Sequence, residues 1–175
     1  GVTLMNEVFT YSNPRTAAEV LEEMRIKVKE ALNQTEYKTE AKDGMDMALC
    51  IIDKSKNELQ FSGAYNSLYM IRNGELSEYK AVRNPVGVHM KELPFQNEVV
   101  NFETNDQFYI FSDGYADQVS GISQQKFKIV EFRKLIHSIS NLPMNEQASK
   151  LESTIQIWKG NADQTDDMLV VGFKV

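Results

Sequence analysis

The sequence predicts a mixed α/β (α+β) fold, a layered sandwich in which helices cover antiparallel sheets on both sides. Helical periodicity marks both ends of the chain, and short strand-like segments fill its middle. Three apolar runs, at residues 48–52, 108–111 and 169–171, are typical of strands buried on both faces. We therefore expect layers in the order α-β-β-α within one domain of 175 residues.

Composition narrows the classes of function. Hydrophobic residues make up 42% and charged residues 25% of the chain, as in ordinary globular proteins. The net charge of -6 argues against nucleic acid as a main partner. Cys50 is the single cysteine, which favours a reducing, cytoplasmic location. Because the chain begins with Gly1, we expect it to be part of a longer polypeptide, whose upstream segments could tether it to a membrane.

The N-terminal part, residues 1–33, is predicted to be helical. Apolar residues recur at helical spacing over residues 2–9 and again over 14–32. Asn13 and Pro14 form a start signal for the second helix, since an N-cap residue followed by proline is typical of a first turn. The polar residues 34–42 predict a loop.

The sheet core is predicted over residues 45–112 and 168–175. The pair Asn73-Gly74 indicates a tight hairpin, and residues 54–57 indicate a turn. We expect residues 169–171 to be fully buried. The predicted strands before them are 47–52, 59–61, 67–72, 75–79, 98–103 and 108–111.

Two further helices are predicted inside the region 126–159. Single apolar stripes run over residues 127–139 and over residues 143–158. The order along the chain is therefore helices, many short strands, helices and a last strand. No internal repeat divides it, so we treat it as a single domain.

Two acidic segments stand next to predicted buried strands. Asp113 follows the strand at 108–111, and Asp117 comes a little later. Asp166 and Asp167 lead into the last strand. In neighbouring antiparallel strands, the end of one lies beside the start of the other. We therefore expect Asp113 and Asp166 to meet at one edge of a sheet.

Such a pair of carboxylates has two interpretations. Carboxylates brought together repel, and a hard cation such as Mg²⁺ or Mn²⁺ relieves the repulsion. Alternatively, Asp113-Gly114 is a plain turn, Asp166 caps another turn and Asp167 is solvated. The residue types alone favour the turns, because acidic residues are common in them.

The order of the motifs changes this balance, because it resembles the PPM metal-dependent protein phosphatases. The closest type is the bacterial SpoIIE-like serine/threonine phosphatase domain, which has Thr/Ser-Asp-Gly and Thr-Asp-Asp at the places of residues 112–114 and 165–167. Between them, residues 63–69 resemble the family's Ala-Gly-His-Asn-Pro stretch, and residues 85–87 resemble its Pro-Leu-Gly. The resemblance extends from about Asp43 onward.

The resemblance implies a hydrolase that holds two Mn²⁺ or Mg²⁺ ions and attacks phosphoserine or phosphothreonine with metal-bound water. It implies that Asp113 and Asp166 are metal ligands, with no catalytic residue apart from such ligands. It also implies the C-terminal effector of a bacterial signal-transduction protein, joined to an upstream sensor domain and acting on a phosphorylated regulatory protein, often of STAS-like fold. Residues with an indirect or uncertain role are Gly114, Asp167, Asp117, Asp46 and Asp43.

The sequence departs from the family in its first part. The family's early Gly-Asp and Asp-x-Thr/Ser-Gly-His-Gly motifs do not occur, and residues 1–4 resemble the helix that follows the second motif. We therefore expect a domain truncated at its N-terminus, without its first strands, that binds metal weakly and is inactive as it stands. The alternative is a non-catalytic pseudophosphatase or interaction module. An uncovered sheet edge would also suit pairing with a second copy as a homodimer.

Other reactive side chains have simpler interpretations. Asp43 and Asp46 flank a Gly-Met pair before the strand at 47–52, which is typical of a loop that enters a strand. His89 and His137 have no carboxylate or cysteine partner at metal-ligand spacing. Cys50 lies in an apolar run and is interpreted as a small buried hydrophobe.

Overall fold

The computed structural model describes residues 2–11, 16–33 and 44–175, which form helices and antiparallel sheets. The predicted mixed α/β class is confirmed. The contacts between residues divide the chain into two compact units. The first unit is Gly1–Leu68 with Tyr79–Phe102, and the second is Tyr69–Glu78 with Glu103–Val175. The elements are α1 (Val2–Tyr11), α2 (Ala17–Ala31), β1 (Gly44–Met45), β2 (Met47–Asp53), β3 (Glu58–Ala64), β4 (Leu68–Arg72), β5 (Glu75–Tyr79), β6 (Val86–Gly87), β7 (Glu98–Asn101), β8 (Gln107–Phe111), α3 (Gly114–Asp117), α4 (Ile129–Ile139), α5 (Met144–Lys159) and β9 (Val170–Lys174).

In the first unit, α2 begins at Ala17, so the predicted start at Asn13-Pro14 is wrong. Thr16 is the N-cap, because its side chain accepts a hydrogen bond from the Glu19 amide at 3.2 Å and its own amide donates to the Glu19 carboxylate at 3.1 Å. This reciprocal pair satisfies two amides that the first turn leaves open. Asn13 and Pro14 themselves, and the predicted loop at 34–42, lie outside the described residues.

The sheets of the first unit are small. Strand β3 pairs with β2 on one side and β7 on the other, and β1 pairs with β6. The last pair was not predicted, since each of its strands has only two residues. Helix α2 packs against β2, β3 and β6, and α1 packs against α2. The core of this unit contains Val8, Val20, Leu21, Met24, Val28, Ala64, Val86 and Phe95.

The second unit is a sheet in the order β5-β4-β8-β9 with α4 and α5 packed against it. The predicted hairpin is present, and Asn73 and Gly74 have positive φ of 50° and 80°. Strand β8 lies inside the sheet, and its side chains at Phe108, Tyr109 and Phe111 are buried. Aromatic rings from the sheet and from α4 fill the core, with centroids of Phe111 and Phe132 4.8 Å apart.

Two of the three apolar runs are more exposed than predicted. Ile52 in β2 is 40% exposed, Leu169 just before β9 is 59% exposed, and Val171 in β9 is 41% exposed. Among the described residues, β2 and β9 each have a strand on one side only, so they stand at sheet edges. The run in β8 is covered because that strand is central.

The remaining boundaries follow the predicted pattern closely. The turn at 54–57, the alternation in β7 and the helices α4 and α5 are where the sequence places them. No helix in the described part of the chain is long and apolar enough to cross a membrane.

Candidate functional site

Asp113 is held at the end of a rigid strand. Strand β8 is fixed by its buried aromatic residues, and Asp113 follows it as the N-cap residue of the short helix α3. The Asp117 amide donates to the Asp113 carbonyl at 2.9 Å, which closes the single turn of α3. The sequence predicted only a short polar segment here. The Asp113 residue is exposed, so its backbone is fixed while its carboxylate can reach a ligand.

Ser112 joins the end of β8 to the segment before β9. Its hydroxyl donates to the Asp167 carbonyl at 2.9 Å and accepts from the Leu169 amide at 3.0 Å. Its own amide donates to the Leu169 carbonyl at 3.0 Å. These bonds bring together residues 112–114 and 165–167, which we call the acidic corner.

Gly114 shows how closely the two segments approach. It is buried, and a Cβ atom at this position would lie 2.8 Å from the Asp167 carbonyl carbon and 3.3 Å from the Asp166 carbonyl carbon, while overlapping the Asp167 carbonyl oxygen. Only glycine fits such an approach of two backbones without displacement. The acidic segments that the sequence places far apart are therefore in direct contact.

Asp166 and Asp167 are both exposed. One oxygen of the Asp166 carboxylate accepts a hydrogen bond from the Asp167 amide at 2.7 Å, and the Gln164 side chain donates to the Asp166 carbonyl at 2.8 Å. The first bond orients the Asp166 side chain and the second its backbone, and the carboxylate keeps lone pairs for a further partner.

The remaining acidic candidates differ from this pair. Asp117 forms an ion pair with Lys126, whose Nζ lies 2.6 Å from the carboxylate, so a cationic side chain already neutralises it. Asp46 lies in the first unit between β1 and β2, where it lines a cavity of about 590 Å³ together with apolar side chains such as Met5 and Met24. Asp43 lies outside the described residues.

The sequence did not single out Gln118, which organises the loop before Asp166. Gln118 is completely buried, and its side chain accepts from the Thr165 amide and donates to the carbonyl groups of Val119 and Asp163. A lone glutamine after an acidic segment is typical of a solvated position, and the local pattern carries no signal for this role.

Other reactive groups do not join the acidic corner. Burial raises the pKa of the Cys50 thiol to about 12, so almost no nucleophilic thiolate forms near neutral pH. The His137 ring nitrogen lies 2.8 Å from the Gly74 carbonyl oxygen at the hairpin between β4 and β5, and His89 contacts the Lys91 backbone in a loop of the first unit. Both rings therefore contact backbone carbonyl oxygens.

The donor chemistry of the acidic corner fits a hard divalent cation. Asp113 and Asp166 offer exposed carboxylate oxygens on segments held by backbone hydrogen bonds, and Mg²⁺ and Mn²⁺ prefer oxygen ligands. Within the described ranges, no group of three or more His, Cys, Asp and Glu residues has a geometry that could hold a metal. Two carboxylates supply part of an octahedral shell, and water or further ligands would have to complete it.

Comparison with solved structures finds phosphatase domains. The SiaA-PP2C domain of Pseudomonas aeruginosa has a TM-score of 0.84 and 25% sequence identity over 99% of this chain and 65% of its own. The PP2C phosphatase domain of SpoIIE from Bacillus subtilis, with a regulatory fragment, has a TM-score of 0.70 and 15% identity over 99% of this chain and 48% of its own. The PPM Ser-Thr phosphatase MsPP from Mycobacterium smegmatis has a TM-score of 0.60 and 13% identity over 99% of this chain and 79% of its own.

The last two likenesses, at low identity, show the fold. The chain spans less than two thirds of the SiaA and SpoIIE chains. A search of curated protein sequences finds no match. The family model for stage II sporulation protein E (SpoIIE), however, matches residues 3–175. The chain therefore belongs to the SpoIIE family and has the fold of PPM (PP2C-type) phosphatase domains.

Proposed function

We propose that residues 1–175 are one partial domain of a metal-dependent serine/threonine protein phosphatase and contribute two ligands, Asp113 and Asp166, to its Mn²⁺ or Mg²⁺ site. The observation that supports this proposal is the contact of Gly114 with the backbone of Asp166 and Asp167, which joins the two segments that bear these aspartates. A bound cation would lower the pKa of its water and stabilise charge on the phosphoryl oxygens.

Residues around Asp113 and Asp166 would hold these proposed ligands in position. Ser112 holds the two ligand-bearing segments together through hydrogen bonds to Asp167 and Leu169. Asp167 offers its amide to the Asp166 carboxylate and so orients it. Lys126 neutralises Asp117, which would leave that residue near the site without direct contact to the metal.

The proposed substrate is a phosphoserine or phosphothreonine side chain of a regulatory protein. Family membership supports this class, because the similar solved structures include PP2C domains of SiaA and of SpoIIE with its regulatory fragment. We propose that the chain is the effector part of a bacterial signalling protein, placed in the cytoplasm and controlled by an upstream sensor domain. A regulatory protein of STAS-like fold is the proposed partner.

Loss of one ligand provides the first test. We expect Asp113→Asn and Asp166→Asn each to weaken Mn²⁺ binding by roughly tenfold or more, because each removes a charged oxygen ligand. Binding is measured by the broadening of amide NMR signals from residues 113–114 and 166–167 during a Mn²⁺ titration. Asp163→Asn is the matched control, since it removes one exposed charge from the same loop. Equal affinity in Asp113→Asn and the unmodified chain would remove Asp113 from the site.

A second prediction concerns turnover. We expect residues 1–175 alone to hydrolyse no phosphoserine peptide at a measurable rate in millimolar Mn²⁺, because the chain contains neither the Gly-Asp nor the Gly-His-Gly motif of the family. Release of phosphate from such a peptide is the measurement. Manganese-dependent release that disappears in Asp113→Asn would contradict this prediction while supporting the metal site.

A pseudophosphatase that binds a partner without turnover is the second candidate, favoured by the same missing motifs. Reading the natural open reading frame upstream of Gly1 separates the two candidates. A Gly-Asp and an Asp-x-x-Gly-His-Gly within a few dozen residues would favour the phosphatase. Their absence there would favour the interaction module.

A further inference from the structure

Gln118 is a buried side chain with hydrogen-bond partners at both its nitrogen and its oxygen. Its Nε2 donates to the Val119 carbonyl at 2.9 Å and to the Asp163 carbonyl at 3.0 Å. Its Oε1 accepts from the Thr165 amide at 3.1 Å. Both amide protons and one acceptor site are thus used, which is the arrangement expected of a glutamine with an exposed fraction of 0%.

The backbone next to Gln118 reinforces these bonds. The Gln118 carbonyl accepts from the Trp158 indole at 3.0 Å and from the Phe127 amide at 2.9 Å, which ties it to the end of α5 and to the segment before α4. The Val119 amide donates to the Thr165 hydroxyl at 3.2 Å. Residues 118 and 119 therefore connect the segment after Asp113 to the loop before Asp166.

Ser112 and Gly114 contact the end of that loop at Asp167, and Gln118 binds the backbone nearer its start. Residues 163–167 are all exposed, so apolar burial contributes little to their position. Hydrogen bonds must hold such a segment, and a bond made by a buried group is worth more than one that competes with water. Gln118 is the buried partner on which the Thr165 and Asp163 backbones converge.

We infer that Gln118 is a positioning residue that holds the Asp166 carboxylate beside Asp113 for metal binding. This inference rests on the metal site proposed above. Gln118 contacts no metal ligand side chain; it acts through the Thr165 backbone, one residue before Asp166. Its loss should therefore weaken metal binding without removing a ligand.

The experiment compares Gln118, which follows α3, with Gln147, a second buried glutamine that lies in α5. Gln147 in the first turn of α5 is 2% exposed, donates to the Gln107 side chain and the Leu142 carbonyl at 2.9 Å each, and accepts from the Tyr109 hydroxyl at 2.7 Å. The Gln118 carbonyl accepts from the Trp158 indole in the last turn of α5. Gln118→Met and Gln147→Met each keep the side-chain length and remove a comparable set of hydrogen bonds.

Two readouts are taken on the 175-residue chain. Mn²⁺ affinity comes from broadening of the Gly114 and Asp167 amide signals, and hydrogen exchange of the Thr165 amide is followed without metal. We expect Gln118→Met to raise the Kd for Mn²⁺ roughly tenfold, as for loss of groups that orient metal ligands, and to speed Thr165 exchange. Gln147→Met should leave both readouts as in the unmodified chain.

A second variant covers failure of Gln118→Met to fold. Gln118→Asn keeps a polar amide but shortens the side chain by one methylene group, which draws its carbonyl oxygen away from the Thr165 amide, and it should raise the Kd in the same direction. Equal readouts in Gln118→Met and Gln147→Met, or an unchanged Kd in Gln118→Asn, would overturn the role of Gln118 alone. No broadening at either segment of the unmodified chain would overturn the metal site itself and this inference with it.

Discussion

Gly114→Ala is expected to lower the free energy of unfolding by about 1–3 kcal/mol and to abolish measurable Mn²⁺ binding. The added methyl group would overlap the Asp167 carbonyl, so the segment bearing Asp166 must move or the backbone must strain. At an open helical position the same change would stabilise by about 0.5–1 kcal/mol. The sign of the effect therefore reports whether the two segments pack as described.

Gly74→Ala is the matched control for this variant. Gly74 has φ of 80° with open space around its Cβ position, so alanine there is strained by about 1–2 kcal/mol without any overlap. Urea denaturation gives the stability of both variants, and the Mn²⁺ titration gives their affinities. Mn²⁺ binding should survive in Gly74→Ala. Equal binding by Gly114→Ala and the unmodified chain would show that the contact at Gly114 does not position the ligands.

Asp106→Asn is expected to lower the free energy of unfolding by about 3 kcal/mol. Asp106 is 2% exposed, lies 2.6 Å from an Arg72 guanidinium nitrogen and accepts from the Glu103 amide at 2.8 Å. Neutralising it leaves Arg72 with one charged partner, the exposed carboxylate of Glu103 at 3.1 Å, in place of two. This loss lies at the low end of the range for buried ion pairs, because the Arg72 side chain is 29% exposed.

Glu131→Gln provides the control for Asp106→Asn, since it makes the same chemical change in an exposed pair. Glu131 and Lys134 have side-chain exposures of 52% and 68%, so its loss should change stability by less than about 0.5 kcal/mol. Both variants are compared by urea midpoints at unchanged slope. If Asp106→Asn lowers the free energy of unfolding by less than about 1 kcal/mol, the ion pair does not fix the start of β8.

Features set by neighbouring residues were predictable from the sequence. The Asn73-Gly74 hairpin follows from the positive φ that its turn requires, and the Asp113 position follows from a buried run that ends in Ser-Asp-Gly. The contact between the segments 112–114 and 165–167 followed from antiparallel pairing of β8 and β9, which the structure contains. Their assignment as metal ligands stays a prediction.

Features set by distant residues were not predictable. The runs in β2 and β9 look as apolar as the run in β8, and only the sheet order distinguishes edge strands from a central one. Gln118 hydrogen-bonds to Trp158 and Asp163, which lie far along the chain. The predicted start of α2 was wrong for another reason. Both Asn13 and Thr16 are good N-cap residue types, and the capping box with Glu19 favours Thr16.

The way Ser112 and Gly114 join the acidic corner has an evolutionary consequence. Main-chain atoms of Asp167 and Leu169 make these contacts, so the scaffold does not depend on the carboxylates themselves. During divergence a descendant could exchange Asp113 or Asp166 for another polar residue and keep its shape. In a complete domain with the proposed activity, loss of turnover would then be a small mutational step, and an inactive copy would remain available for selection as a binding protein.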